Sequence, residues 1–349
     1  MKKTLKLMAT LFVGAMFMGA CQQAEEPAVE QGQPDAVVTR AYGDKTPKIA
    51  IYVETNDVNP LNAGDYVLPN GKAYADIVEF FAANIRWQEG VDDDGNEIRD
   101  PVLYLNDKMT NLLENGGAAT YVAGLQAKGI KVVLTILGDH TGIGFCNLDS
   151  LQSARFAKIL AHAVSKYGLD GIGFDDEYAD YDTELIQGSY GRLIKNLHAE
   201  MPANKLITLF QYGHIGSSQI GADAGVLLDY VYSDFSYYNA TISVSGVEKT
   251  QYAPQASNLG SYKSPSEIIT YGDYAYTAAE NGYGAIMHFN LRTKSERNQT
   301  NLFSSIADGA WGEISVDIAS TPSNAADRPQ DWTFVPSGHY LTMADVNAQ

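Results

Sequence analysis

The 349-residue sequence is poor in the residues that would tie it to several common chemistries. It has two cysteines, Cys21 and Cys146, and the first falls in the leader. No intramolecular disulfide is then available, and the fold must rest on a hydrophobic core. No Cys/His cluster has zinc spacing, and no Gly-rich loop of the P-loop type occurs. Basic residues are scarce: 24 Lys and Arg stand against 42 Asp and Glu, a formal net charge of −18. Such a balance argues against nucleic acid and anionic lipid as partners and suits a neutral substrate. The one pronounced apolar run, near the N-terminus, is too short and too weakly flanked for a membrane span.

That run belongs to "MKKTLKLMATLFVGAMFMGAC", with a basic start, an apolar centre and small residues before Cys21. It reads as a secretory signal, and "MGAC" resembles a bacterial lipobox, in which cleavage leaves the cysteine as the lipid-bearing terminus. The expected organisation is a signal over 1–20, a flexible Gln-, Glu-, Ala- and Pro-rich tether over 21–46, a folded domain over 47–312 and an extension over 313–349. These features predict a protein of the bacterial cell envelope, at the outer-membrane surface, touching the membrane through its lipid alone and acting as a monomer.

Within 47–312, apolar runs of strand length alternate with amphipathic segments. Strands are predicted at 48–54, 77–85, 130–138, 169–177, 205–213 and 229–238, somewhere in 249–261, and at 283–291. Helices are predicted between them; 149–168 is the strongest, with Asp149 or Ser150 able to cap its start and Gly168 its end. Alternation of this kind implies parallel strands joined by crossover helices, and apolar strands imply burial on both faces. Eight units in about 250 residues predict an α/β fold, the (β/α)8 or TIM barrel. A doubly wound sheet fits less well, because no phosphate-binding glycine fingerprint follows the first strand.

"KYGLDGIGFDDEYADY" (166–181) crowds four aspartates and a glutamate around two apolar residues. In a strand, Gly171, Gly173, Asp175 and Glu177 share one face, and Ile172 and Phe174 turn outward toward helices. Asp175 and Glu177 are then neighbours at the C-terminal end, the end that carries chemistry in such barrels. Carboxylates so close cannot all ionise freely, so at least one pKa should rise. A protonated carboxyl beside an ionised one is what glycoside hydrolysis requires. Asp180, Asp182 and Glu184 read as a solvated loop.

"LDGIGFDDEYADY" resembles the D-G-x-D-x-D-x-E strand signature of glycoside hydrolase family 18, and most closely its branch of bacterial endo-β-N-acetylglucosaminidases. "AIYVETNDVNPLNAGDYVL", "FAANI", "QAKGIKVVLTILGDHTGIGFCN" and "YGAIMHFNL" extend the likeness over nearly all of 47–312. The resemblance implies hydrolysis of the β-1,4 bond between the two core N-acetylglucosamines of an N-linked glycan, with a glycan or glycoprotein as partner and no metal or organic cofactor. It implies a retaining, substrate-assisted route: Glu177 protonates the glycosidic oxygen, the 2-acetamido oxygen attacks the anomeric carbon, and Asp175 holds the acetamido group. Asp170 would be structural. One departure stands out: Gly173 occupies the place of the signature's middle Asp, whose loss would leave Asp175 less supported.

The family also supplies a sixth-strand tyrosine to the acetamido oxygen; Tyr232, Tyr237 and Tyr238 are candidates, and Tyr237 is preferred. Glu54, Asn56, Asn84, His140, Gln211 and Asn290 sit at or near predicted strand ends and are types that bond sugar hydroxyls. Tyr74, Trp87, Tyr178, Tyr181, Tyr212 and Tyr238 offer rings for stacking. Two competing readings are a chitinase, with the same chemistry on a linear polymer, and a non-catalytic glycan-binding barrel.

Overall fold

The computed structural model describes residues 45–91, 97–312, 315–331 and 338–348. The signal, Cys21 and nearly all of the tether lie outside the described residues.

The strands in chain order are β1 (Lys48–Glu54), β2 (Tyr66–Val67), β3 (Ile77–Val91), β4 (Glu97–Leu105), β5 (Lys131–Leu137), β6 (Gly171–Phe174), β7 (Leu206–Phe210), β8 (Tyr230–Tyr232), β9 (Tyr252–Ala253), β10 (Ala256–Asn258), β11 (Ala285–Phe289), β12 (Asp317–Ile318) and β13 (His339–Leu341). The helices are α1 (Asp107–Leu113), α2 (Gly117–Gln126), α3 (Ser150–Tyr167), α4 (Ser189–Glu200), α5 (Ala222–Gly225), α6 (Pro265–Glu280), α7 (Thr300–Trp311) and α8 (Met343–Asn347).

Parallel pairing runs β10-β11-β1-β3-β5-β6-β7-β8-β9. β9 and β10 are separated only by Pro254 and Gln255, so the ring is completed through the chain itself. This is a nearly closed parallel barrel with crossover helices, as the alternation predicts. Its seventh position is a strand broken in two, where Pro254 can donate no ladder bond.

Side-chain alternation divides the core. Ile49, Ile51, Val78, Leu134, Ile172, Phe174 and Leu209 face outward and are fully or almost fully buried under the helices. Phe174 lies between Phe145 (centroids 5.1 Å) and Tyr190 (5.8 Å). The barrel interior is filled by Ala50, Tyr52, Ile77, Val133, Phe210, Tyr232 and Met287. α3 is built as its sequence predicts: Asp149 and Gln152 form a reciprocal capping box, and Gly168 ends the helix at φ +67°.

Two features depart from the expected barrel. β3 runs well past residue 85 and folds back antiparallel on β4, from Asn84↔Tyr104 to Val91↔Glu97. β13 adds to β4, and β12 pairs β2. The described parts of 313–349 therefore pack on the barrel. Asp65, fully buried, accepts from Ala326 N–H (2.7 Å) and pairs with Arg328 and with Lys128 (2.7 Å).

Candidate active site

β6 sets the site. Its ladder ends at Phe174, earlier than predicted, but the backbone stays tied: Asp175 N–H donates to Ile136 (3.0 Å), and Glu177 accepts from Gly138 N–H (2.9 Å). Asp175 and Glu177 both open into a cavity of about 330 Å³ at the C-terminal ends of the barrel strands. Glu54 from β1 supplies a third carboxylate. Tyr52, Phe81, Phe210 and Met287 form the apolar walls, and Tyr178, Phe235 and Phe289 complete the lining. Phe235 bridges Phe210 (5.1 Å) and Phe289 (5.0 Å) in a band of rings. Carboxylates set among aromatic faces suit a sugar, which offers hydroxyls on its rim and C–H surfaces on its faces.

Asp175 is nearly inaccessible, and its Oδ1 has no hydrogen-bond partner. Burial first, then the charges of Glu177 and Asp176, push its carboxyl up to about 8. Glu177 is half-buried and is also raised, by burial. The two carboxyls titrate as a coupled pair, and at least one of them keeps its proton above the usual carboxylate range. Glu54 is raised by burial and by Asp57, against the lowering effect of Arg292. Below the site, Asp170 accepts from Val132 N–H (3.0 Å), Gln126 (2.7 Å) and Lys131 (3.0 Å), and its role is structural.

The other predicted residues divide. Asn84 donates to the Gly138 carbonyl (2.8 Å) and so fixes the loop after β5. Gln211 is buried and fully engaged: it donates to the Thr241 carbonyl (2.9 Å) and to Tyr252 Oη (3.0 Å), and it accepts from Ser243 N–H (2.9 Å). Both brace loops. His140 is exposed and pairs with Asp180 (2.7 Å) beside the Tyr178 ring (5.3 Å). Asn290 follows β11 at φ +62° with a buried, unpartnered Oδ1. Of the sequence candidates, the structure gathers Asp175, Glu177, Glu54 and Tyr178 in the cavity lining.

Tyr237 is a correction. β8 stops at Tyr232, so the expected strand does not reach residue 238. The chain turns, leaving Tyr237 at φ +38°, half-exposed, with its ring toward Tyr271 (5.8 Å) and outside the cavity lining. Tyr232 points into the barrel and donates to Glu79 (3.1 Å).

Sequence reasoning missed Tyr52 and Glu79. Tyr52 lines the cavity. Glu79, on β3, is fully buried among hydroxyls from three other strands. The signal was present in outline: a lone acid inside the apolar run "IVEFF" needs a partner elsewhere in the fold.

Cys146 Sγ, Asp176 Oδ2 and His214 Nδ1 lie within 4.8 Å of one another and are the one group among the described residues with metal-ligand character. Asp176 already accepts from Tyr181 Oη, His214 N–H (2.8 Å) and His214 Nδ1 (2.9 Å). Burial, then the Asp176 charge, pushes the Cys146 thiol far up, which disfavours a thiolate ligand. The cluster is a satisfied hydrogen-bond network behind β6.

A parallel barrel that presents an acid pair with raised pKa values in an aromatic cleft at its C-terminal mouth is a glycoside hydrolase scaffold. No family model matches the chain. It is 36% identical over 267 residues to an endo-β-N-acetylglucosaminidase of Flavobacterium sp. (strain SK1022), covering 74% of this chain and 79% of that protein. It is 32% identical over 303 residues to endo-β-N-acetylglucosaminidase F1 of Elizabethkingia meningoseptica, covering 82% of each. The chain belongs to the endo-β-N-acetylglucosaminidases. The fold is shared with Bacteroides thetaiotamicron EndoBT-3987, solved with a Man5GlcNAc product: TM-score 0.63, 23% identity, covering 85% of this chain and 67% of that one.

Proposed function

We propose that the protein hydrolyses the β-1,4 bond of the N,N'-diacetylchitobiose core of N-linked glycans, with Glu177 and Asp175 as its catalytic residues. The observation that carries this reading is the shared opening of these two carboxyls into one cavity, one of them buried with a bare acceptor. An unpartnered buried acceptor costs about 1–3 kcal/mol. An acetamido N–H donated to Asp175 Oδ1 removes that cost and favours ionised Asp175. The pair's proton then resides on Glu177, where it can be given to the glycosidic oxygen. The acetamido oxygen attacks the anomeric carbon as the bond to the leaving sugar breaks. An oxazolinium ion forms and is stabilised by the charge of Asp175. Glu177, now ionised, takes a proton from the water that reopens the ring, and the configuration is retained.

Support against a chitinase comes from the two relatives named as endo-β-N-acetylglucosaminidases. Mass spectrometry after incubation with a high-mannose glycoprotein, a complex-type glycoprotein and chitin oligomers tests the reading. A single N-acetylglucosamine left on Asn is expected; cleavage of chitin alone, or glycan retention without cleavage, overturns it. Glu177→Gln should abolish release and spare binding. We also propose that Cys21 carries a lipid that holds the enzyme at the outer-membrane surface, based on the "MGAC" motif. Cys21→Ser should then move the protein from the membrane pellet to the soluble fraction; an unchanged distribution refutes the anchor.

A further inference from the structure

Gly173 and Glu79 fit one another. A Cβ built on Gly173 would lie 2.7 Å from Glu79 Oε2, 2.7 Å from Thr208 Oγ1 and 3.1 Å from Thr135 Oγ1. Nothing larger than glycine fits at 173 while the Glu79 carboxyl stays where it is. That carboxyl is fixed from three sides: Thr208 donates to Oε1 (2.8 Å), Tyr232 also to Oε1 (3.1 Å), and Thr135 to Oε2 (2.9 Å). Glu79 thus crosses from β3 to occupy the inward space above Gly173. Asp175 is two residues further along the same chain, so its backbone stands about 6.6 Å beyond Gly173 along the strand direction.

Tyr52 stands beside both carboxyls. It is fully enclosed, its hydroxyl makes no well-formed hydrogen bond, and burial followed by the charges of Glu79 and Asp175 drives its pKa far up. The side chains meeting Glu79 are Tyr52 from β1, Thr135 from β5, Thr208 from β7 and Tyr232 from β8. None of these is basic, so its charge is not neutralised locally. Burial, against the hydroxyls of Thr208, Thr135 and Tyr232, pushes Glu79 up to about 7. It therefore gains or loses its proton in the range where Asp175 does.

We propose that Glu79 is a positioning residue for the hydrolysis: seated over Gly173, it supplies from β3, two strands away, the carboxyl that β6 lacks and sets the protonation of Asp175. The inference rests on Asp175 and Glu177 as the catalytic pair. A negative charge one layer below the pair makes both of its ionisations harder. Glu79 carries that charge only above about pH 7, so removing it should move the alkaline limb of the kcat/KM–pH profile to lower pH, by roughly one unit, and leave the acid limb in place.

The test is the pH profile of glycan release by Glu79→Gln, with melting temperature measured in parallel. An acid shift of the alkaline limb with the acid limb in place supports the proposal, and an unmoved profile at reduced stability overturns it, since a merely structural carboxyl changes stability alone. Should Glu79→Gln not fold, the double variant Glu79→Val/Gly173→Asp decides, because it moves the carboxyl back onto β6. A wild-type profile in the double variant supports the inference; an acid-shifted one overturns it. Glu177→Gln separates this result from the site assignment. If Glu177→Gln still cleaves, the catalytic pair is misassigned. If it is dead while Glu79→Gln keeps the wild-type profile, only the role of Glu79 is lost.

Discussion

His288 gives the sharpest prediction about stability. It lies on β11, fully buried, and faces out of the barrel against the Phe303 ring of α7 (centroids 5.0 Å). Tyr74 Oη meets its Nε2 (2.9 Å) and Ser257 Oγ its Nδ1 (2.5 Å). Two hydroxyls satisfy a neutral imidazole, but neither can neutralise a cation. Burial accordingly pushes the His288 pKa down to about 3. The unfolded chain, with an ordinary value near 6.5, binds this proton first as pH falls. Stability contributed by the neutral ring is therefore whole above about pH 6.5 and drains away between there and about pH 3. At pH 5 the loss relative to pH 7 is about 2 kcal/mol, from 1.36 kcal/mol per pH unit. At this chain length that is roughly 4 °C in Tm. Asp175 and Glu79 are raised carboxyls and act in the opposite direction, gaining stability as pH falls through their folded values, so the wild-type curve alone cannot isolate His288. The assay is differential: Tm of wild type and of His288→Gln at pH 7 and pH 5. Gln fills similar space and does not titrate. The wild type should lose about 4 °C more than the variant over this interval. Equal losses would show that the ring does not titrate differently in the folded and unfolded chains, and the reasoning would fail.

Asp65→Asn should lower stability by about 3 kcal/mol, because it leaves Arg328 and Lys128 facing each other without their shared anion. Limited proteolysis should then cut within 315–331 at lower protease concentration than in wild type, and unchanged resistance would refute a clamping role. Asp149→Ala removes one half of the α3 capping box and should cost about 1 kcal/mol in chemical denaturation. Turnover should not change, since Asp149 is remote from the cavity lining; a fall in kcat would show that α3 bears on the site.

The barrel was legible because its strands are buried on both faces and so stay apolar without interruption, a pattern that survives in one sequence. What was missed broke that pattern for identifiable reasons. "EIRDPVLYL" carries Pro101, which argues against a paired strand, yet β13 covers β4 only at Leu103–Leu105 and leaves Pro101 on the open edge, where no N–H is needed. The seventh strand is split at Pro254–Gln255, leaving pieces of two and three residues, too short for any period to show. α7 has the helical spacing of Leu302, Phe303, Ile306, Ala307 and Ala310, but Gln299 at its start makes no side-chain cap.

The site shows where one-dimensional reading stops. Asp175 and Glu177 announce themselves because two charges on a buried strand are costly without a use. Tyr237 was misplaced because an aromatic run fits both strand and turn, and only the backbone reveals that β8 ends at Tyr232. Glu79 is harder still: its hydroxyl partners lie 56, 129 and 153 residues away, so no window along the chain contains the interaction. Gly173, read along β6, is a missing carboxylate and an argument for a decayed site. Read across the barrel, it is the space that a carboxylate from β3 fills. A strand motif is defined along one chain segment, whereas a barrel interior is filled by layers drawn from alternate strands, and a group lost from one strand can be returned from another strand of the same layer. Judging such a barrel active or inactive from its β6 motif alone therefore tests the wrong unit; the relevant unit is the layer of side chains beneath Asp175 and Glu177.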